Sequence, residues 1–309
     1  MINKITKDKI EALFKIYQAL AEEYAEAFDE MAAVEIPESV YNSNAIENST
    51  LTLEDTEAIL IRNEIKKDHD VREIFEAKNL AEVMNMLREI VRKEKNVSAP
   101  ETILELHKTL LTGINNNIAG RFRSGKEWVR IGTHIGANPA FTNELIYELA
   151  KKYQSDKDMY FLDKIAYFHA EFETIHPFVD GNGRIGRIII NGQLMQLGYP
   201  PIIVPNKGKH KEYYPLFDEY RRNGKFEGFT RFFALLLIES MHKRLTLVQS
   251  KRIASVAEWA KTNGVNPGNA LNMAKKQTIP AFRIRGKWMI NASASLEKGK
   301  SNNGTEHEF

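Results

Sequence analysis

Apolar residues recur at helical spacing along most of the chain. Between residues 5 and 33, Ile10, Leu13, Phe14, Tyr17, Leu20, Ala21 and Tyr24 form one stripe, which predicts an amphipathic helix. Pro37 suits the first turn of a second helix, running to about Asn48. Thr52 with Asp55 three residues later makes a capping-box pattern and opens a helix to about Glu64. A longer helix is expected from Val71 to Lys93. The patch Lys95 to Pro100 breaks it, and Pro100 starts another, to about Leu111.

Over residues 113–139 the pattern changes. Glycines recur, and Trp128, Val129, Arg130 and Ile131 between them are aromatic, β-branched or long, so a hairpin or extended loop is expected. Helical spacing returns over 142–154 and about 159–175. A loop follows at 176–183, then a helix from about Arg184 to Leu197, stopped by Gly198-Tyr-Pro-Pro201. Two more helices are expected at about 209–222 and 227–248.

The end of the chain reads as a separate unit. Ser255 with Glu258 is a second capping box, before a short helix ending at Gly264. Asn266 and Pro267 cap and start another, to about Lys276. Ile279 to Ile290 alternates around Gly286 like a small hairpin, and 292–309 is rich in Ser, Asn, Gly and Lys, which predicts disorder. Charge sets this unit apart. Residues 251–290 hold eight Lys/Arg and one acid, Glu258, so they carry +7; with +2 for the whole chain, the rest carries −5. Such a basic block suggests a polyanion-facing module. The expected architecture is mainly α, with an N-terminal helical region at 1–98, a core at 99–248, the small basic unit at 249–291 and a tail at 292–309.

Composition narrows the chemistry. With 43% hydrophobic and 27% charged residues, the 309-residue chain looks like an ordinary globular protein. The lack of cysteine excludes disulfides, thiolate catalysis and cysteine metal sites. No apolar run approaches the ~20 residues that span a bilayer, and the N-terminus opens directly into charged helical sequence without a signal peptide. The expectation is a cytoplasmic protein with no membrane association.

The densest chemistry lies at residues 176–187, His-Pro-Phe-Val-Asp-Gly-Asn-Gly-Arg-Ile-Gly-Arg. Gly181 and Gly183 flank Asn182, so the backbone can turn sharply and bring its N–H groups up to an anion. A helix starts there, adding its positive end. Arg184 and Arg187, three apart, share one helix face and form a charge clamp. Asp180 is a hard oxygen ligand suited to Mg2+ on phosphate oxygens, and His176 can take a proton near neutral pH. Alone, a Gly-Asn-Gly turn would be a helix-capping loop; together these residues point to a phosphate site. The remaining histidines show no ligand spacing, and His169, two helical turns before His176, reads as packed or hydrogen-bonded.

This segment meets every fixed position of His-x-Phe-x-[Asp/Glu]-Gly-Asn-Gly-Arg-x-x-Arg, and the chain thereby resembles the Fic family over roughly residues 35–245. The resemblance implies a Fic-type helical core with a small β-hairpin flap, and transfer of AMP from ATP to a Ser, Thr or Tyr hydroxyl of a protein, which includes the chain itself. It implies His176 as general base and Asp180 as the Mg2+ ligand. Gly181, Asn182 and Gly183 would form the anion hole, Arg184 would hold the β-phosphate region and Arg187 the γ-phosphate. Gly186 lies within the same ATP-binding segment, Tyr213 and Tyr214 would flank the adenosine end, and Phe178 would pack inward. Val129, Arg130, Ile131 and Gly132 would be the flap that pairs with the target segment. Residues 43–48, Ser-Asn-Ala-Ile-Glu-Asn, fit the family's inhibitory motif [Ser/Thr]-x-x-x-Glu-[Gly/Asn]. By resemblance Ser43 lies in that helix and Glu47 pairs with Arg187, holding the enzyme off. Removal of AMP, or another phosphate-bearing transfer, remains open on the same scaffold, as does a homodimer, since dimers are common in the family.

The basic unit is similar to the small winged helix-turn-helix domains of the MerR/excisionase type. That resemblance implies Asn269, Asn272, Lys275 and Lys276 facing duplex DNA, with Arg283, Arg285 and Lys287 meeting phosphates. The alternative for this unit is a small docking domain with a solvated basic face. Val256, Trp259, Ala260, Leu271 and Phe282 are expected in its core on either reading. A third reading of the chain is a DNA-binding regulator whose core senses nucleotide.

Overall fold

The computed structural model describes residues 2–65 and 68–295. Thirteen helices and five short strands follow in it. The expected first helix is two: α1 (Lys4–Glu23) and α2 (Ala25–Val34), separated at Tyr24, which leaves the helical region at φ −121° and ψ 39°. The break turns Phe28 of α2 inward, edge-on to Tyr17 of α1 at 5.3 Å. Both Ile10 of α1 and Phe28 of α2 are buried. Pro37 lies in the first turn of α3 (Ile36–Ile46), as expected, but α3 stops two residues before the expected end because Asn48 takes a left-handed φ of 70°.

The capping box at Thr52 forms in full and starts α4 (Leu53–Glu57). Hydrogen bonding then widens into a π-helical turn, Ala58–Arg62, in place of the continuous helix. Next come α5 (Val71–Arg92) and α6 (Pro100–Leu111). The glycine-rich stretch gives only a two-residue hairpin, β1 (Arg130–Ile131) with β2 (His134–Ile135), paired antiparallel as Arg130 with Ile135 and Ile131 with His134. Then follow α7 (Thr142–Ser155), α8 (Phe161–Ile175) and α9 (Asn182–Gln196). After a π-helical turn, Lys209–Tyr213, come α10 (Tyr214–Asn223) and α11 (Glu227–Gln249).

Helices α8 and α9 are central. Phe168, Phe172 and Ile175 of α8, with Ile185, Ile188 and Ile189 of α9, join a core built with α5 and α6. Leu162, Ile165, Ala166 and Ala170 of α8, with Ile190 and Leu194 of α9, join a second core built with α1 and α11. Each helix is therefore buried on two sides, and the loop between them, residues 176–181, starts and ends on fixed points.

The C-terminal unit has its own core, around Val256, Trp259, Ala260, Ala270, Ala274, Ile279, Ala281 and Ile290. It consists of β3 (Ile253–Ser255), α12 (Val256–Thr262), α13 (Pro267–Lys275), β4 (Ala281–Ile284) and β5 (Lys287–Asn291), with sheet order β3-β5-β4. Strand β3 escapes the sequence pattern because it is three residues long, and pairs only with distant β5. Leu271 is 39% exposed, contrary to expectation, because Ala270 and Ala274 are the residues of α13 that turn inward. The tail begins in order: Trp259 Nε1 donates to Ala294 O at 2.8 Å. The rest of the expected disorder, 296–309, lies outside the described residues. No helix among the described residues is long and apolar enough to cross a membrane.

Candidate functional site

His176 ends α8 with a left-handed backbone, φ 54°, and Gly181 precedes α9 at φ 85°. The chain thus reverses within a few residues. Side chains staple the reversal. Asn182 Oδ1 accepts from Phe178 N at 2.8 Å, and Asn182 Nδ2 donates to Phe178 O at 2.9 Å. The ring of Phe178 is fully buried and stacked on His107 at 3.6 Å.

His107, which showed no ligand spacing in the sequence, is part of this frame. Its Nδ1 accepts from Gly120 N at 3.0 Å, so Nε2 carries the hydrogen and donates to Asp180 O, also at 3.0 Å. Burial pushes its pKa down to about 4, so the ring is neutral.

The charged groups form two sets. In the first, Arg184 reaches Asp180 at 3.0 Å and Glu76 at 3.2 Å, while the more exposed Arg72 meets Asp180 at 2.5 Å. Burial acts to raise the pKa of Asp180, but Arg184 and Arg72 together hold it below the usual range. In the second, Arg187 Nε donates to Ser43 Oγ at 3.0 Å, and Nη2 donates to Ser43 O at 3.0 Å and to Glu47 Oε1 at 2.7 Å. Burial disfavours the charged guanidinium; the charge of Glu47 offsets it.

Glu47 also lies over the turn. A Cβ built on Gly183 would stand 2.2 Å from Glu47 Oε1. Gly183 therefore leaves room for this carboxylate, which a side chain there would push aside, and the carboxylate rests where the helix start would receive an anion. Gly186 serves packing: its Cβ would come 2.5 Å from Glu173 Oε1 and 3.1 Å from His169.

His176 Nδ1 lies 3.3 Å from Glu173 O and 3.6 Å from Glu173 Oε2. The carbonyl only accepts, so a hydrogen on Nδ1 leaves Nε2 as the basic nitrogen. Glu173 is fully buried, which raises its pKa, yet the hydrogen bond and charge of His176, with His169 and Arg187, hold it lowered. Beside the loop, the flap is tied down by His134 Nε2, 2.9 Å from Thr174 O, and by Ala137 N donating to Ile175 O at 3.1 Å. Val129 to Gly132 are at its outer side, with Trp128 56% exposed.

Other expected residues are placed differently. Tyr213 is buried and lies 2.7 Å from His169 Nε2, so it offers no face to a nucleotide; His169 is hydrogen-bonded, as expected. Tyr214 donates to Ile46 O at 2.7 Å and supports the end of α3. Asn269, Asn272, Lys275 and Lys276 are exposed on α13. Arg283 and Arg285 are paired with acids of the core, Arg285 through an exposed ion pair. Arg283 grips Glu239 of α11 with two bonds, 2.7 and 2.6 Å, and Arg285 meets Glu57 at 2.5 Å, because acids of the core face the hairpin.

A histidine, a held carboxylate, a glycine turn at a helix start and two arginines thus meet at the connection of two buried helices. Residues 97–194 match the model of the Fic/DOC family. The chain is 30% identical over 197 residues to a protein adenylyltransferase Fic of Drosophila melanogaster, covering 63% of this chain and 39% of the relative. A protein of the same name from Drosophila virilis is 27% identical over 230 residues, covering 74% of this chain and 45% of that one. The chain thus spans less than half the length of these relatives.

Among solved structures, a Fic family protein from Desulfovibrio desulfuricans shares the fold with a TM-score of 0.69 at 19% identity, covering 99% of this chain and 98% of that one. Fic-1 from C. elegans does so with a TM-score of 0.68 at 24% identity, covering 79% of this chain and 73% of that one.

Proposed function

We propose that this protein is a protein adenylyltransferase that moves AMP from ATP to a protein hydroxyl and that its own helix α3 holds it in check. The observation that carries the reading is the 176–187 loop, which brings a proton acceptor, a carboxylate, a helix start and two guanidinium groups to one turn. Named relatives that transfer adenylyl groups support it.

In this reading the acceptor hydroxyl is held along the flap at Val129 to Gly132. His176 Nε2 takes its proton as the oxygen attacks the α-phosphorus. The new O–P bond forms as the bond to the β-phosphate oxygen breaks, and pyrophosphate leaves with that electron pair. The N–H groups of Asn182 and Gly183 and the guanidinium of Arg184 stabilise the phosphate charge. Asp180 would hold a magnesium ion brought in with the nucleotide through its ionised, one-third exposed carboxylate, once Arg72 gave up the oxygen it now grips. When bound, magnesium neutralises phosphate charge. Arg187 would hold the γ-phosphate but is engaged by Glu47, so ATP binds in a pose unsuited to transfer.

The test is a labelled-ATP transfer assay with wild type, Glu47→Gly and His176→Ala, read by radiolabel and by intact mass. Glu47→Gly should raise self-modification at least about ten-fold, the scale of one lost ion pair near 1.4 kcal/mol, with a gain of one AMP. His176→Ala should abolish it. A Glu47→Gly chain no more active than wild type across a range of Mg2+-ATP would sink the restraint.

The exposed polar and basic face of α13 favours a second role in binding duplex DNA. Titration of the full chain with a labelled duplex at two salt concentrations tests it. Salt-sensitive binding lost in Lys275→Glu/Lys276→Glu supports it, and salt-independent or absent binding removes it.

A further inference from the structure

We propose that Arg123 is a positioning residue that locks the flap to the His176 turn, so that imidazole and acceptor strand keep one fixed relation. The proposal rests on the transferase reading above.

Arg123 is 1% exposed. Its Nε donates to His176 O at 2.7 Å and Nη2 to Ile175 O at 2.9 Å. Nη2 also donates to Ala137 O, just past the flap, and Nη1 to Glu127 O at 3.4 Å. The backbone of Arg123 adds to this: its N–H donates to Pro177 O at 2.9 Å, and its carbonyl accepts from Thr142 Oγ1 at 2.8 Å. One buried side chain therefore spans the end of α8, the left-handed histidine and the base of the flap.

Burying a guanidinium is unfavourable unless its donors are met, and a carboxylate would meet them best. Here carbonyls do so. The carboxylate of Glu127 is taken by Arg121 at 2.6 Å, and burial, the main influence on Arg123, lowers its pKa. What several carbonyl contacts achieve is a fixed backbone. That backbone includes His176 at φ 54°, a conformation that a non-glycine residue holds only when its surroundings impose it. Gly136 shows how close the two parts lie. A Cβ there would stand 2.9 Å from Arg123 Nη2 and 3.2 Å from His176 Cβ.

The test uses the full chain carrying Glu47→Gly. Arg123→Lys keeps a cation but cannot span the same carbonyls. It should lower kcat per folded molecule roughly 100-fold, as expected for a misplaced base. The KM for ATP should change less than about three-fold, since the phosphate cradle is untouched. Amide exchange at Ala137 should quicken while α11 keeps its protection. Gly136→Ala should show the same split by pushing the two parts aside. A fall in kcat that only follows the folded fraction, a rise in KM with kcat kept, or unchanged Ala137 exchange in Arg123→Lys would overturn the proposal. Should the Glu47→Gly parent transfer no AMP, the transferase reading fails on its own and the exchange measurement still decides on Arg123.

Discussion

Glu47 is an acid at the C-terminal end of a helix, where the macrodipole disfavours negative charge. It stays there because Arg187 meets its carboxylate at 2.7 Å. Local preference is violated and a tertiary contact compensates, as happens at functional sites. Gly183→Ala makes a sharp residue-scale prediction. The methyl would displace the Glu47 carboxylate but would itself stand on the anion turn. Transfer should stay at or below wild type, unlike Glu47→Gly; activation equal to that of Glu47→Gly in the same assay would contradict the placement. A second prediction concerns pH. Burial is the largest influence on His107, His169 and His242 and lowers each to about 4, so all three are neutral when folded. The unfolded chain protonates them near 6.5. Their contribution to stability is thus complete above about pH 6.5 and is lost as pH falls toward 4. Unfolding free energies from urea titrations at pH 5 and 6 should differ by about 3–4 kcal/mol, from close to three protons taken up on unfolding. Equal stability at the two values would refute neutral burial.

Helix α3, which in the proposed function restrains the site, has 11 residues, a length that is marginal by itself. It persists because both ends are held. At the start, Glu35 pairs with Arg244 at 2.6 Å and Lys243 at 2.8 Å. At the end, Lys209 Nζ donates to Ala45 O at 2.8 Å and Ile46 O at 2.9 Å, and Tyr214 donates to Ile46 O. Both residues meet Ile46 O at the end of α3, and Lys209 adds a bond to Ala45 O, which already accepts from Asn48 N. Lys209→Ala should destabilise the chain by about 1 kcal/mol, the scale of a lost hydrogen bond, since Tyr214 and Asn48 still meet those carbonyls. It should also raise transfer a few-fold, less than Glu47→Gly, because Arg187 remains paired. Thermal melts and the transfer assay together check this. A melt lowered without any rise in transfer would mean that the end of α3 does not govern Glu47.

At the scale of the molecule, the basic unit is docked. Arg283 is bound to Glu239, Arg285 to Glu57, and Gly286 N donates to Glu38 Oε1 of α3 at 3.2 Å. His242 Nδ1 is 2.9 Å from Gln277 Oε1 in the same interface. The positive balance of residues 251–290 is therefore partly met by acids of the core. Trp259 and Trp288 are two of the three tryptophans and both belong to this unit, whereas most helix lies outside it. Glu239→Ala leaves Arg283 half-covered and unpaired, a loss of about 1–3 kcal/mol. Tryptophan fluorescence should then unfold at lower urea than circular dichroism, breaking two-state behaviour. Coincident transitions would show that the docking contributes little.

Most helices were legible because their signals are local. Capping boxes at Thr52 and Ser255 and prolines at Pro37, Pro100 and Pro267 act within a few residues of themselves. The loop at 176–187 was legible for the same reason, since its base, carboxylate, glycines and arginines are consecutive. Glu47 was tied to Arg187 by resemblance to a family motif, not by any property of residues 140 positions apart, and the bonds of Arg187 to Ser43 came only with the structure. What only the tertiary structure decided is which distant groups each charge meets. Arg123 was one arginine among several in a glycine-rich stretch until the fold surrounded it with carbonyls. His107 was a histidine without ligand spacing until Gly120 and Asp180 fixed its tautomer. Arg283 and Arg285 read as phosphate contacts, and only the fold shows that they also meet Glu239 and Glu57. Backbone preference and spacing are written along the chain, but desolvation and pairing exist only once the chain has packed.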